Sequence, residues 1–289
     1  MFLLCSSPYP KFLIIGILDM TTVDPDGIYY LGPKGSFSHE AALKIDGSHV
    51  EVPSISEIFD RVSMGGIGVV PVENTLEGPV NETLDNLYTR QGIYVNKRID
   101  MKIDLVLASR PDANLQSITR VYSHNHAIHE ARNTLSKLGL TNFIPVNSTS
   151  KAAQLALEDR HSAAICSRFA ASLYGLKILK ENIQDGVNIT RFLVVSRNLT
   201  EDGERSIVLF TVPDVPGSLF KVLEKFYLHN INLSMIYSRP TKIIPWNYYF
   251  YLEFEGSIAE TRRMGLLDEL SEVTQELKIV GSYITVPAT

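Results

Sequence analysis

Asn188-Ile189-Thr190-Arg191-Phe192 runs straight into the apolar stretch Leu193-Val194-Val195. A hydroxyl and a guanidinium therefore stand at the mouth of a strand apolar enough to be buried, where they can serve a small anionic ligand. Ligands of open α/β sheets gather at strand ends. The reading of this strand, Arg191–Val195, depends on what sheet surrounds it.

Upstream, from Ile28 to about Arg197, short apolar runs alternate with helical patterns. The other candidate strands are Ile28–Leu31, His49–Val52, Ile67–Val72, Tyr94–Ser109, Arg120–Tyr122, Phe143–Val146 and Ala163–Cys166. Helical patterns cover Ser38–Ile45, Ile58–Ser63, Val80–Tyr88, Ala127–Leu138 and Lys151–Leu157. This alternation predicts an α/β domain with mostly parallel sheets. Tyr94–Ser109 is too long for one ordinary strand. It reads as leaving one lobe and entering a second near residue 105, with Leu179–Arg197 returning near 185. Two crossings make a two-lobed domain with a cleft over residues 28–199.

Asn198–Glu204 is polar and turn-rich, a linker pattern. Beyond it the order changes: strand Ser206–Val212, helix Pro216–His229, strands Asn232–Tyr237 and Tyr248–Glu255, helix Ala259–Leu277, strand Ile279–Val286. That βαββαβ order predicts a ferredoxin-like module over 205–289. Residues 1–27 read as a leader, unstructured or mis-started. The apolar run Phe12–Leu18 is short, and a secretion signal wants a longer one with a small-residue cleavage site.

The totals narrow the classes. A chain of 289 residues with 45% apolar and 20% charged residues predicts more than one folded domain and not a disordered chain. A net charge of −5 and no long basic run give no nucleic-acid footprint. Cys5 and Cys166 are far apart and form no CxxC pair, which fits a reducing, cytoplasmic setting. No run approaches the roughly 20 apolar residues needed to cross a bilayer.

Three segments share a strand–turn–helix design. Tyr29-Tyr30-Leu31 leads into Gly32-Pro33-Lys34-Gly35-Ser36-Phe37-Ser38, Val69-Val70-Pro71-Val72 into Glu73-Asn74-Thr75-Leu76-Glu77-Gly78, and Ile144-Pro145-Val146 into Asn147-Ser148-Thr149-Ser150. Free N–H groups at helix starts attract anions. Each of Ser38, Thr75 and Ser148 can equally be a plain helix cap; together the three corners favour a shared site for a dicarboxylate without a metal. Gly32-Pro33-Lys34-Gly35 matches no nucleotide-binding glycine motif and reads as a turn. Glu73 follows a buried strand: it donates a proton from a desolvated cleft, makes a salt bridge, or accepts hydrogen bonds from a helix terminus. His126 and His129 have a metal-like spacing, but no zinc motif accompanies them. His126 is either solvated or titrates in a cleft.

At these residues the chain resembles the prephenate dehydratase family. The Gly32–Ala42 segment is similar to the family's opening signature, and Val70-Pro71-Val72-Glu73-Asn74-Thr75 with Gly78 to its Pro-Ile-Glu-Asn-Ser segment. Ser123-His124 is similar to the start of its Ser-His-Pro-Gln segment. Ser148-Thr149 with Ala152-Ala153, Tyr174-Gly175-Leu176, Ile183-Gln184-Asp185 and Asn188–Phe192 complete the match. The tail resembles an ACT regulatory domain through Val215-Pro216-Gly217-Ser218-Leu219, Asn230-Ile231-Asn232-Leu233-Ser234 and Ser238-Arg239-Pro240. Departures are Asn125 and His126 where the family usually has Pro and Gln, Glu130 where a second Gln is common, Ser218 for Ala, and Tyr237 for the Glu before Ser-Arg-Pro.

The resemblance implies a two-lobed, type 2 periplasmic-binding-protein-like α/β catalytic domain followed by the ferredoxin-like ACT domain. It implies decarboxylative dehydration of prephenate to phenylpyruvate, with no cofactor and no metal, and Thr190 in the proton-donating role with Glu73 as second candidate. Arg191 would hold a carboxylate or make a structural ion pair. Substrate contacts are expected from Ser36, Phe37, Ser38, Asn74, Thr75, Ser123, His124, Ser148, Thr149, Asn188, Arg191 and Phe192, although Phe192 also reads as core. Phenylalanine is the expected effector at Gly217, Ser218, Leu219, Asn232, Leu233, Ser234, Ser238, Arg239 and Pro240, in a homodimer or homotetramer joined through ACT domains. No room before residue 28 for a fused chorismate mutase bundle makes a monofunctional enzyme the expectation. The alternatives are the amino analogue arogenate as substrate, or a non-catalytic protein that binds a small molecule or senses an amino acid.

Overall fold

The computed structural model describes Asp24 and residues 27–242 and 245–286. The expected leader, with Cys5, lies outside the described residues except for Asp24 and Gly27.

The first lobe holds β1 (Gly27–Leu31), α1 (Phe37–Ala42), β2 (Ser48–Val52), α2 (Ile55–Ser63), β3 (Ile67–Asn74), β4 (Gly78–Pro79), α3 (Asn81–Thr89) and β5 (Tyr94–Lys102). The second holds β6 (Leu105–Ser109), β7 (Arg120–Ser123), α4 (Asn125–Glu130), α5 (Arg132–Lys137), β8 (Phe143–Pro145), α6 (Thr149–Glu158), β9 (Ser162–Ser167), α7 (Arg168–Leu173) and β10 (Lys177–Lys180). The chain returns through β11 (Ile189–Ser196). The C-terminal module follows as β12 (Arg205–Thr211), α8 (Ser218–Leu228), β13 (Leu233–Pro240), β14 (Tyr248–Glu255), α9 (Ile258–Arg263), α10 (Leu266–Val273) and β15 (Glu276–Val286).

Within the lobes, parallel pairing is confined to β1 with β2 and β3, and β7 with β8 and β9. The strands that carry the crossings pair antiparallel, β11 with β3 and β5, and β6 with β9 and β10. A chain that leaves a lobe on one strand and returns beside it must run the other way, which is why the sheets are mixed rather than mostly parallel. The two crossings are laced together. The Ile103 N–H donates to the Asn188 carbonyl (2.8 Å), and the Ile183 N–H donates to the Leu105 carbonyl (3.0 Å). Gln184 takes the Leu105 N–H (2.9 Å) and donates to Asp104 (2.9 Å).

Local sequence explains the helices. In α2, Ser54 accepts from the Glu57 N–H (3.1 Å), and Ile55, Ile58, Phe59 and Val62 form one buried stripe at helical spacing. Truncating Phe59 there would cost about 3–5 kcal/mol. Gly68 of β3 lets this helix lie close: a Cβ at that position would stand 2.6 Å from Ile58 and 2.8 Å from Val195. In the second lobe the contact between α6 and β9 uses small residues, Ala152, Ala153 and Ala156 against Ala164 and Cys166. The Cys166 thiol is buried and pushed up to about 12, which leaves it unreactive.

The C-terminal module is not a tethered appendage. Its sheet, β13-β14-β12-β15, continues into the first lobe because β15 pairs with β5 from Ile284–Lys97 to Val286–Ile99. Gly281 lies three residues before the change of partner, with a positive φ of 122° and the Val95 carbonyl 2.8 Å from where a Cβ would be. One sheet face packs Val208, Phe210, Leu252 and Phe254 against α8 and α10. The other packs Leu209, Met235, Tyr249 and Tyr251 into the core that holds α2, α3 and β3. Buried Arg98 of β5 ties the joint, donating to Asp100 (3.0 Å), to the Tyr283 hydroxyl (3.1 Å) and to Glu253 (3.4 Å).

Candidate active site

Thr190 lies on β11 directly opposite Asn74 of β3, and Arg191 opposite Glu73. Side chains alternate along a strand, so these two pairs leave the sheet on opposite faces. On the first face, Asn74 Nδ2 donates to Thr190 Oγ1 (2.9 Å) and to Asn188 Oδ1 (2.6 Å). Asn74 Oδ1 is held in turn by the N–H groups of Leu76 (2.8 Å) and Glu77 (3.1 Å), which fixes which way its amide points. Asn188 is buried and donates its own Nδ2 to Glu130 Oε1 of α4 (2.9 Å). Because Thr190 Oγ1 already accepts a hydrogen bond, its hydroxyl proton is left to donate elsewhere. Thr75 closes the strand end: its Oγ1 accepts from the Ile189 N–H (3.0 Å).

On the opposite face, Arg191 and Glu73 take the ion-pair alternative left open for each. Arg191 donates to Glu73 Oε2 (2.8 Å), and Glu73 Oε1 accepts from the Tyr237 hydroxyl of β13 (2.7 Å). Arg191 is therefore engaged in an ion pair facing the C-terminal module instead of holding a carboxylate beside Thr190. Glu73 is paired and turned away from Thr190, so the proton-donating role does not suit it. Phe192 is core, at 1% exposure.

The remaining predicted residues divide. Ser36 caps α1, accepting from His39 N–H (3.2 Å) while donating to the Leu31 carbonyl (3.1 Å), and Ser148 caps α6 through the Lys151 N–H (3.0 Å). Ser123 is fully buried and donates to the Ile165 carbonyl (2.9 Å). These three hydroxyls act on backbone, as the capping alternative has it for Ser148. Ser38 is buried, Phe37 packs on the core shared by the lobes, and Thr149 opens α6. The Pro33–Gly35 turn touches the second lobe directly: the Ser150 and Tyr174 hydroxyls both donate to the Lys34 carbonyl, Tyr174 at 2.7 Å. His39 backs that turn, accepting the Gly35 N–H (3.1 Å) and stacking on Tyr30 at 4.6 Å, and burial holds its pKa low.

His124 stacks on His126 (5.0 Å) and lines a cavity with Asn125, Pro145, Val146 and Asn147. Burial, then the neighbouring His126, lower the His124 pKa. His126 pairs with Glu77 (2.7 Å). Among the described residues no three His, Cys, Asp or Glu side chains are grouped to hold a metal ion. Sequence reasoning passed over Glu130 as a site residue. Its signal was present, since it stands where the family commonly has Gln and a carboxylate there is unusual company for an anion.

In the C-terminal module a cavity of about 520 Å³ is lined by Val212–Asp214, Trp246 and Tyr248, and of the expected effector residues by Ser238 alone. Gly217 precedes α8 with a positive φ of 87°, Ser218 is buried, and Leu219 packs on the module core. Ser234 donates to Glu253 (2.7 Å), Leu233 pairs with Phe254, Asn232 sits in the turn before β13, and Pro240 ends β13. Arg239 does not point free into this cavity. It holds Asp85 of α3 through Nε (3.1 Å) and Nη2 (2.9 Å), an interdomain contact in place of the expected effector contact.

Two α/β lobes around a Thr–Asn pair, followed by a βαββαβ module, define a two-lobed enzyme domain with a ferredoxin-like module attached. The chain belongs to the prephenate dehydratase family: that family's profile matches residues 28–200, and the ACT domain profile matches residues 206–260. The bifunctional chorismate mutase/prephenate dehydratase of Aquifex aeolicus is 43% identical over 265 residues, spanning 89% of this chain and 73% of that protein. The prephenate dehydratase of Methanocaldococcus jannaschii is 35% identical over 270 residues, spanning 89% and 97%. The crystal structure of an Arthrobacter aurescens prephenate dehydratase in complex with L-Phe superposes with a TM-score of 0.82 at 31% identity, covering 91% of this chain and 92% of that one. No helix among the described residues is long and apolar enough to cross a membrane.

Proposed function

We propose that this enzyme converts prephenate to phenylpyruvate, water and carbon dioxide in L-phenylalanine biosynthesis, and that L-phenylalanine bound to its ACT module slows it. The reaction balances without a redox step. The C4 hydroxyl takes up one proton and its C–O bond breaks to release water. The ring carboxylate leaves as carbon dioxide, and the electron pair of that C–C bond completes the aromatic ring. The pyruvyl carboxylate stays on the product.

The observation that carries the proposal is the 2.9 Å hydrogen bond from Asn74 Nδ2 to Thr190 Oγ1. A hydroxyl is a weak acid on its own. A hydroxyl that accepts one hydrogen bond becomes a better donor in the next, because chained bonds polarise each other. Thr190 so held donates to the leaving oxygen as negative charge builds there, a contribution of about 3 kcal/mol in a site shielded from water. Ser38, Thr149, His124 and Asn188 are the residues we assign to the ring and its carboxylates.

Support for regulation lies in the Tyr237–Glu73–Arg191 contact, which joins the segment preceding Ser238 to the strand that carries Thr190. An effector that binds one arrangement of this joint better than another shifts turnover, and one with equal affinity for both shifts nothing. The outer edge of β13 pairs with no strand among the described residues, which suits side-by-side association of ACT modules in a homodimer or homotetramer. A cytoplasmic site of action belongs to the same proposal.

Purified protein incubated with prephenate, and in parallel with arogenate, tests the reading. Phenylpyruvate should form from prephenate at a rate that falls as millimolar phenylalanine is added. Tight binding of prephenate without product would leave a binding protein instead, and preferential phenylalanine formation from arogenate would move the substrate to the amino analogue.

A further inference from the structure

The half-buried Glu130, with one buried carboxylate oxygen, sits at the far end of the Thr190 hydrogen-bonded chain. From Thr190 Oγ1 the chain runs to Asn74 (2.9 Å), to Asn188 (2.6 Å) and to Glu130 Oε1 (2.9 Å). The other oxygen, Glu130 Oε2, is buried and has no hydrogen-bond partner among the described residues. An ionised carboxylate oxygen left without donors is costly, and burial favours the neutral acid. The surrounding charges do not change this. Glu77 adds like charge and is itself paired with His126 (2.7 Å), on which His124 stacks. Asp185, which touches the Glu130 carbonyl through its N–H (2.6 Å), has its carboxylate taken by Asn133 and Thr134 at the start of α5. Burial first, then Glu77, raise the Glu130 pKa against the pull of Asn188 and His126.

We infer that Glu130 is a positioning residue that must carry a proton while a doubly negative substrate occupies the site beside Thr190, so that substrate binding is linked to proton uptake at this carboxyl. This rests on the proposed reaction with a dianionic ring acid. Neutral Glu130 still accepts from Asn188 through its carbonyl oxygen, so the chain that orients Thr190 survives protonation. Ionised Glu130 keeps the same hydrogen bond but places a second negative charge near the substrate. The linkage therefore falls on binding: KM rises with pH above the Glu130 pKa, and kcat moves little.

Steady-state prephenate kinetics from pH 5 to pH 9 on the wild type and on Glu130→Gln test this. The glutamine keeps the size and the acceptor oxygen and removes the proton. In the wild type, KM should climb by a factor approaching about ten per pH unit once Glu130 ionises, as expected for one linked proton. In Glu130→Gln, KM should be flat across the same pH range. A pH-independent wild-type KM overturns the inference, with no variant needed. A KM slope that persists in Glu130→Gln also overturns it, because the linked proton then sits elsewhere. If Glu130→Gln does not fold, Glu130→Ala is read by the pH dependence of its KM alone, because it also removes the acceptor for Asn188. A wild type with no prephenate turnover at any pH is a different result: it removes the proposed function and this inference with it.

Discussion

The hydroxyl of Tyr237 donates to Glu73 Oε1 at 2.7 Å, joining the ACT module to the strand next to Asn74. Burial and Glu73 push the Tyr237 pKa up to about 12, so the phenol is a donor throughout the physiological range. Glu73 neighbours Asn74, and its ion-pair partner Arg191 neighbours Thr190. A displacement of β13 is thus felt one residue away from each member of the proposed catalytic pair.

Removing that hydroxyl should loosen the coupling. Tyr237→Phe is expected to lose about 1 kcal/mol of stability in denaturant titration. Its inhibition curve with phenylalanine should shift to higher concentration. An unchanged inhibition curve would show that the signal does not travel through Glu73.

Asp85 is the second clamp between module and lobe. Burial tends to raise its pKa, but hydrogen bonds from Arg239, Lys242 and Tyr249 outweigh that and hold it below the usual carboxylate range. A carboxylate depressed by folding stabilises above its unfolded pKa, and that stability is lost as pH falls through the folded value. Asp85→Ala should therefore cost about 2 kcal/mol at pH 7 and lessen the loss of stability on acidification below about pH 4. Equal acid unfolding of the two proteins would contradict this.

Much of this architecture was legible beforehand, and its limits have physical causes. The alternation of Thr190 and Arg191 is a property of any strand, so their opposite directions could be read from spacing. The partners could not: Glu73 and Arg191 lie 118 positions apart, and their pairing depends on the register of β3 and β11. Helices expected as Ala127–Leu138 and Ala259–Leu277 each break in two. The second breaks at Gly265, with a positive φ of 81°, a visible signal. The first breaks at Ala131, where nothing in the sequence warns of it. The short α7 and β10 carry too few residues for a periodicity to show. The fusion of the ACT sheet with the first lobe was invisible because β15 changes partners midway, from β12 to β5.

Buried and half-buried tyrosines set an alkaline limit. Tyr30, Tyr88 and Tyr237 are each pushed up to about 12, burial being the main cause. A group whose folded pKa is raised stabilises fully below its unfolded value, about 10 for tyrosine, and that stability is lost as pH climbs towards 12. Phenolate absorbance should show a class of tyrosines that ionises only with unfolding. Complete ionisation of all tyrosines near pH 10 in the folded protein would refute these surroundings.

The central claim is that Thr190, held by Asn74, donates to the departing hydroxyl. Turnover of prephenate by wild type and Thr190→Ala, at saturating substrate and with folding checked by circular dichroism, tests it most directly. A drop in kcat of about a hundredfold or more with KM little changed is the expected result. A folded Thr190→Ala that makes phenylpyruvate at the wild-type rate would contradict it.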